Sequence, residues 1–277
     1  MRARKPIHKI DVTVATLNNE KTIGRCLSSI RRCVPVRELV VVDGGSRDCT
    51  LEIAKAYGAR IIQDRGLLGR VRLIQAQECK TEWVAYVDSD VYVYPEWWPT
   101  VSKHMGDRAT AMVLGFADLD LGRLPEYDMF LKYRARKFGV EAFSNALVRR
   151  DLVLECRDEL ERVHAGEDSV VAKHIRARGY HIVTIPTRLC FHDRKIIETH
   201  PRVYFRSGQS IRHTDGIIGV YRITNSAFVA ARDWRAFARD TAQFNLRLPI
   251  YLAKLYVWMM VGFMSDPNII KTNRKEA

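Results

Sequence analysis

Over the first 115 residues, short β-branched runs alternate with amphipathic helical stretches. That alternation commits a chain to β-α units and a mostly parallel sheet. Asp11 to Thr16 reads as a strand, and Lys21 to Arg32 as a helix with Ile23, Cys26, Leu27 and Ile30 on one face. Strands follow at Glu38 to Val42, Ala59 to Gln63 and Trp83 to Val87, with helices from Asp48 to about Tyr57 and from the Gly66 to Gly69 loop to Cys79. The second strand ends at Asp43 and the fourth at Asp88-Ser89-Asp90. Ligands of open α/β sheets bind beyond the carboxyl ends of the strands, so these carboxylates stand where a site is expected.

Beyond Pro95 the pattern predicts a helix carrying Trp97, Trp98 and Val101 inward, a strand at Ala111 to Phe116 and a helix at Tyr127 to Phe138. A strand at Ala142 to Val148, a short helix at Leu152 to Cys156 and a helix at Glu167 to Arg178 follow. A strand at Tyr180 to Ile185 and a basic helix at Lys195 to His213 complete this part. No repeat or Pro/Gly/Ser-rich linker divides the 277 residues. The economical division is a catalytic domain at 1–215 and a helical extension at 216–277. Within the extension, Leu248 to Met264 carries Lys254 as its only charge. As a helix it would be about 26 Å long, just short of a membrane span. Tyr251, Tyr256 and Trp258 suit a lipid interface, and Arg247 and Lys254 can snorkel. A shallowly inserted or re-entrant helix is the expectation, with a core or dimer helix as the alternative.

The formal charge of +13 is concentrated toward the C-terminus: from Thr187 onward there are 15 Lys/Arg against 7 Asp/Glu. Such a surface suits an anionic membrane or a phosphate-rich substrate. No RNA-binding aromatic signature or DNA-reading helix pattern accompanies it, so nucleic acid is not expected as a partner. The basic N-terminus is not followed by an apolar run, so a cytoplasmic location is expected. Six cysteines follow no zinc-binding spacing and read as reduced, mostly buried residues.

In an extended segment, Asp88 and Asp90 point to one side and can hold a hard divalent cation, Mg²⁺ or Mn²⁺, against diphosphate oxygens. Asp43 could accept hydrogen bonds from a base or sugar, or cap the Gly44-Gly45 turn. Thr16, Asn18 and Glu20 form a polar rim after the first strand. Arg70 and Arg72 follow the third strand, where Gly66 and Gly69 permit close approach. Arg70 is the stronger functional candidate of the pair, and surface charge is the alternative for Arg72. Arg194, Lys195, Arg202 and Arg206 could cradle phosphate oxygens. Asp168, beside Glu167 at a helix start, is held anionic by the helix dipole.

Four ordered segments carry a resemblance to the family 2 glycosyltransferases of the GT-A fold, which include polyprenyl-phosphate sugar synthases and many polysaccharide and glycolipid enzymes. They are Val14-Ala15-Thr16-Leu17-Asn18-Asn19-Glu20, Glu38-Leu39-Val40-Val41-Val42-Asp43-Gly44-Gly45-Ser46-Arg47-Asp48-Cys49-Thr50, Asp88-Ser89-Asp90 and Gly166-Glu167-Asp168. The resemblance covers about the first 190 residues and implies an α/β fold with a Rossmann-like sheet flanked by helices. It gives base recognition to Asp43, with Gly44 standing where the family has a second acid. It gives the diphosphate region to Arg70, the catalytic base to Asp168, and base orientation or acceptor binding to Glu167. His192, in Cys190-Phe191-His192-Asp193, becomes a third metal ligand beside Asp90. The Q-x-x-R-W signature of processive synthases is absent, so transfer of a single sugar is expected.

The resulting expectation is an inverting, metal-dependent enzyme. It would use a nucleotide-diphospho-sugar, UDP-sugar favoured over GDP-sugar, and a membrane-associated lipid phosphate, glycolipid or lipid-linked saccharide acceptor. It would act at the cytoplasmic face of the cell membrane, and a homo-oligomer is compatible with the sequence. The alternatives are a nucleotidyltransferase or sugar-phosphate synthase, and a non-catalytic membrane-associated nucleotide- or glycan-binding protein.

Overall fold

The computed structural model describes residues 9–119, 127, 129–131, 133, 142–193, 201, 204–209, 211–212, 219–241 and 247–265. Its strands are β1 (Ile10–Thr16), β2 (Val36–Asp43), β3 (Arg60–Gln63), β4 (Trp83–Asp88), β5 (Val91–Val93), β6 (Thr110–Leu119), β7 (Asn145–Arg149) and β8 (His181–His192). They form one sheet in the order β3-β2-β1-β4-β7-β6-β8-β5. The β3-β2-β1-β4 half is parallel throughout, and β7 is antiparallel to both β4 and β6.

Neighbouring residues on the central strands serve opposite cores. Val12, Val14, Leu39, Val41, Ala85 and Val87 pack with Ile23, Cys26, Leu27 and Ile30 of helix α1 (Ile23–Cys33). Val40, Val42, Val84 and Tyr86 face the other way. They meet Val71, Leu73 and Ala76 of α3 (Leu68–Glu78), which follows α2 (Thr50–Ala56). Strands covered on both faces need near-continuous Val and Ile runs, which is what made them legible. Beyond α4 (Trp97–Val101), the second layer is completed by α5 (Arg150–Glu155), α6 (Arg157–Leu160) and α7 (Glu167–Ala177).

Two departures from the expected elements shape the site. The short strand β5 was not anticipated. Only Ser89 and Asp90 separate it from β4, yet it occupies the far edge of the sheet. The β7-β6-β8 part therefore curls round to the end of β4. The strand expected to stop at Ile185 instead runs to His192, so Cys190 to His192 belong to β8 rather than to a loop after it. Pro186 is the reason for the misplaced end. Gly115 pairs with Ile185 and Phe116 with Arg188, leaving Pro186 in an irregularity where its missing N–H costs no ladder bond.

Helices α8 (Gly219–Thr241) and α9 (Arg247–Met264) follow. Leu248 and Leu252 of α9 pack with Tyr127, Phe130 and Phe237. Residues 204–209 are helical and cross α9 closely. A Cβ on Gly208 would collide with the Met259 carbonyl, and one on Gly262 with the Phe205 carbonyl. Among the described residues no helix is long and apolar enough to cross a membrane. The expected domain boundary at 215/216 and most of the expected helix 127–138 lie outside the described residues.

Candidate active site

An open cleft of about 1520 Å³ lies over the carboxyl ends of β1, β2 and β4. On its floor, Asp88 ends β4, Asp90 ends the turn into β5, and His192 ends β8. The antiparallel register sets Val91 opposite His192. Ligand atoms of Asp88, Asp90 and His192 all lie within 4.8 Å of one another. His192 Nε2 is 3.2 Å from Asp90 Oδ1, yet it is buried and makes no hydrogen bond. Two carboxylates and an imidazole suit Mn²⁺ or Mg²⁺, and the hydrogen-bond-free nitrogen fits a ligand role. Behind His192, Asp193 is braced by Arg25 at 2.8 Å and the Tyr92 hydroxyl at 2.6 Å.

The wall after β1 is a lattice of local hydrogen bonds. Asn18, at φ 50, accepts from the Arg47 amide at 2.9 Å, and its own amide donates to Ser46 Oγ. Asn19 donates its side-chain amide to Ser89 Oγ, tying this loop to the middle of the Asp-Ser-Asp turn. The buried hydroxyl of Thr16 makes no hydrogen bond and lines the cleft. Asp43, expected to recognise the base or cap its turn, and Glu20 of the expected rim both accept hydrogen bonds from backbone amides. Asp43 is fully buried, is not among the cleft-lining residues, and accepts from the Gly45 and Ser46 amides at 2.9 Å. Glu20 accepts from the Cys49 amide at 3.1 Å, also off the cleft. Turn chemistry engages Asp43 and a bond between two loops engages Glu20, while Thr16, Asn18 and Arg47 line the cleft wall.

Of the two α3 arginines, Arg72 and not the favoured Arg70 lines the cleft. Arg70 is half-exposed, pairs with Asp64 at 3.0 Å and does not line the cleft. Arg72 lines the cleft although its side chain is 4% exposed. It donates to Asp88 Oδ1 at 2.8 Å and to Glu167 Oε1 at 3.4 Å, with Gln75 Oε1 at 3.3 Å and the Phe143 ring beneath it. Burial alone would loosen the Arg72 proton, but the Asp88 and Glu167 carboxylates outweigh it and raise the guanidinium pKa. Burial raises the Glu167 carboxyl, with Arg72 opposing. One cation thus joins the floor of the cleft to the start of α7.

That start is set by Gly166, whose φ of 82 a side chain would resist. Glu167 turns inward to Arg72, while Asp168 faces the cleft at the positive end of the helix. The far wall comes from the C-terminal helices: Tyr204, Arg206, Asn225, Ser226, Tyr256 and Met259 line it. The Tyr204 and Tyr256 rings meet edge-on at 5.7 Å. Arg206 is therefore placed at the cleft as expected, whereas Arg194, Lys195 and Arg202 lie outside the described residues. Asn225 and Ser226 carried no sequence signal, being ordinary polar positions of an amphipathic helix. All six cysteines are free thiols, four of them buried.

A curled sheet with two carboxylates and an imidazole at its strand ends, facing an acidic helix start across one cleft, is an α/β arrangement suited to transfer of a group from an anionic activated substrate. A sequence profile described as Glycosyl transferase family 2 matches residues 11–155, more than half of the 277-residue chain. The chain belongs to that family, and is a glycosyltransferase that draws on a nucleotide sugar.

EpsH of Bacillus subtilis, named as a glycosyltransferase, is 26% identical over 233 residues, covering 74% of this chain and 67% of EpsH. The lipopolysaccharide core biosynthesis glycosyltransferase LpsC of Rhizobium meliloti is 30% identical over 84 residues, 28% of this chain and 30% of LpsC. Glucosyl-3-phosphoglycerate synthase from Mycobacterium tuberculosis shares the GT-A fold. Its complex with phosphoglyceric acid has a TM-score of 0.53 and 21% identity, covering 74% of this chain and 78% of that one. The same enzyme with Mg²⁺ and UDP gives a TM-score of 0.54 and 20% identity, covering 74% of this chain and 78% of that one.

Proposed function

We propose that this enzyme moves one sugar from a UDP-sugar, with inversion, to a lipid-linked saccharide or another membrane-associated acceptor at the cytoplasmic face of the cell membrane. The observation that carries the transfer chemistry is the placing of Asp168 and the Asp88, Asp90, His192 cluster around one cleft. Thr16, Asn18 and Arg47 would receive the nucleoside. The UDP bound by glucosyl-3-phosphoglycerate synthase supports the choice of uridine. A divalent cation held by Asp88, Asp90 and His192 would offset the charge of the departing diphosphate.

Asp168 takes the proton of the acceptor hydroxyl as that oxygen bonds to the anomeric carbon from the face opposite the diphosphate. The bond from the anomeric carbon to the diphosphate oxygen breaks, and its electron pair leaves with UDP. Glu167, locked to Arg72, holds the α7 terminus so that Asp168 stays aligned. Arg206 and the tyrosine pair on the far wall suit an acceptor with both phosphate and sugar groups. The similarity to a lipopolysaccharide core enzyme and the apolar α9 favour a lipid-linked acceptor. The phosphoglyceric acid bound by the structural relative favours a second reading, a small anionic acceptor at the same wall.

The test is incubation of the purified protein with native membrane lipids, or with phosphoglyceric acid, and a panel of labelled UDP- and GDP-sugars. Label in the lipid fraction with release of UDP is expected. Label only in the soluble acid would replace the lipid reading, and release of pyrophosphate would replace glycosyl transfer by nucleotidyl transfer.

A further inference from the structure

Helix α9 presents two faces of different character. Leu248, Leu252, Leu255, Gly262 and Phe263 are buried against the protein. On the other side, Ile250, Val257, Trp258, Val261 and Met264 are 55%, 61%, 46%, 40% and 71% exposed. Their spacing, in steps of one, three and seven, puts them on one stripe along the helix. Lys254 and Arg247 are exposed on the same stripe. Of the nine large hydrophobic side chains exposed among the described residues, seven belong to α8 and α9, the other two of these being Tyr221 and Phe228. Scattered exposed leucines need no explanation, but such a concentration on two helices does.

The position of these residues relative to the cleft narrows the occupant. On α8, Tyr221 and Phe228 lie within one turn of the cleft-lining Asn225. On α9, Val257 and Trp258 point away from the side that carries the cleft-lining Tyr256 and Met259. Helix α9 therefore forms part of the acceptor wall with one side and shows its apolar stripe to solvent with the other.

Charge decides against a second copy of the chain as the occupant. A two-fold contact brings a patch against itself, so the positive charge of Lys254 and Arg247 would face the same positive patch of the second copy. An anionic headgroup layer pairs with them instead. It also suits Trp258, whose ring has an apolar body and one polar N–H. Arg232 and Arg239 on α8 are exposed too, but each is paired with its neighbouring aspartate, Asp233 or Asp240, so the positive charge of this face rests on Lys254 and Arg247. Because no described helix can cross a bilayer, α9 would lie in the interface plane, where binding scales with buried apolar area and attraction to anionic lipid.

We infer that the exposed stripe of α9, together with the apolar residues of α8, seats in the headgroup layer of an anionic bilayer and holds the helix that backs the acceptor wall against the membrane surface. This deepens the lipid-acceptor reading and rests on it for its purpose, but the docking itself needs no substrate.

The test is flotation of the full chain, without nucleotide sugar, on vesicles of phosphatidylcholine alone and of phosphatidylcholine mixed equally with phosphatidylglycerol. Wild type should float with the mixed vesicles and be released by high salt. Val257→Gln with Val261→Gln should weaken that partition by roughly tenfold or more through lost apolar burial. Lys254→Gln should act mainly at low salt. Both variants change exposed residues, and should keep the wild-type melting temperature and UDP-sugar binding. Failure of wild type to float, or a double variant that floats equally well, overturns the docking surface. So would light scattering that shows a dimer broken by the double variant. Vesicle binding without glycosylation of any lipid would leave the surface standing and remove the lipid acceptor instead.

Discussion

Replacing Arg72 by Met keeps the volume and apolar stem of the side chain but removes the charge that joins Asp88 to Glu167. Glu167, with its side chain 8% exposed, is then left with an unpaired buried carboxylate. Breaking a buried ion pair from one side costs about 3–5 kcal/mol. Asp88, with its side chain 28% exposed, can recover water, so its share of the loss is smaller. For a chain of this length about 2 °C of melting temperature is lost per kcal/mol, so the variant should melt roughly 6–10 °C lower. The measurement is made in chelator, so that no cation replaces the arginine at Asp88. Adding Glu167→Gln removes the stranded charge, and the double variant should regain about 2 kcal/mol of that loss. Its kcat should stay low, because the link to α7 is still missing. A single variant within about 1 kcal/mol of wild type, or a double variant no more stable than the single, would refute the reasoning.

Asp168→Asn should preserve UDP-sugar binding while lowering kcat by about 10²-fold or more with a hydroxyl acceptor, measured by UDP release. Unchanged turnover would remove the base from Asp168. Asp90→Ala should abolish most transfer and metal-dependent UDP binding with little change in melting, and chelation of wild type should match it; His192→Ala should be milder. Near-normal transfer in saturating chelator would dispose of the metal role. Asp11→Asn tests the base of the sheet. Burial alone would raise that carboxyl, but the Arg37 guanidinium at 2.6 Å and the Lys80 and Thr81 amides outweigh it and hold the pKa below 3.8. A depressed carboxyl contributes stability above its unfolded value and loses it as pH falls through the folded one. Asp11→Asn should therefore cost about 2 kcal/mol at neutral pH, with a gap to wild type that closes below about pH 4. Urea melts across that range check it, and a pH-independent gap would contradict it.

The early β-α units, the strand-end acids and the apolar α9 were legible because each is written in contiguous residues. A doubly covered strand needs a run of Val and Ile, and a helix facing a sheet needs apolar residues three and four apart, as in α1. The Asp-Ser-Asp turn and the Gly-Glu-Asp helix start could be read in the same way. The choice between Arg70 and Arg72 could not. Val71, Arg72, Leu73, Gln75 and Ala76 of α3 are all buried, so the helix has no single apolar face from which an inward direction could be taken. Only its packing between β2 and the α5–α7 layer turns Arg72 to the cleft and Arg70 to Asp64. Asp43 was equally ambiguous, since a carboxylate before Gly44-Gly45 can serve a ligand or its own turn, and the folded loop engages it in the turn. His192 reaches Asp90 because β8 passes Pro186 and pairs with a three-residue strand some hundred positions earlier. The sequence by itself determined the units and most of the chemical groups. Tertiary packing decided which of them share the cleft, because pairing register and helix rotation are set by partners distant in the chain.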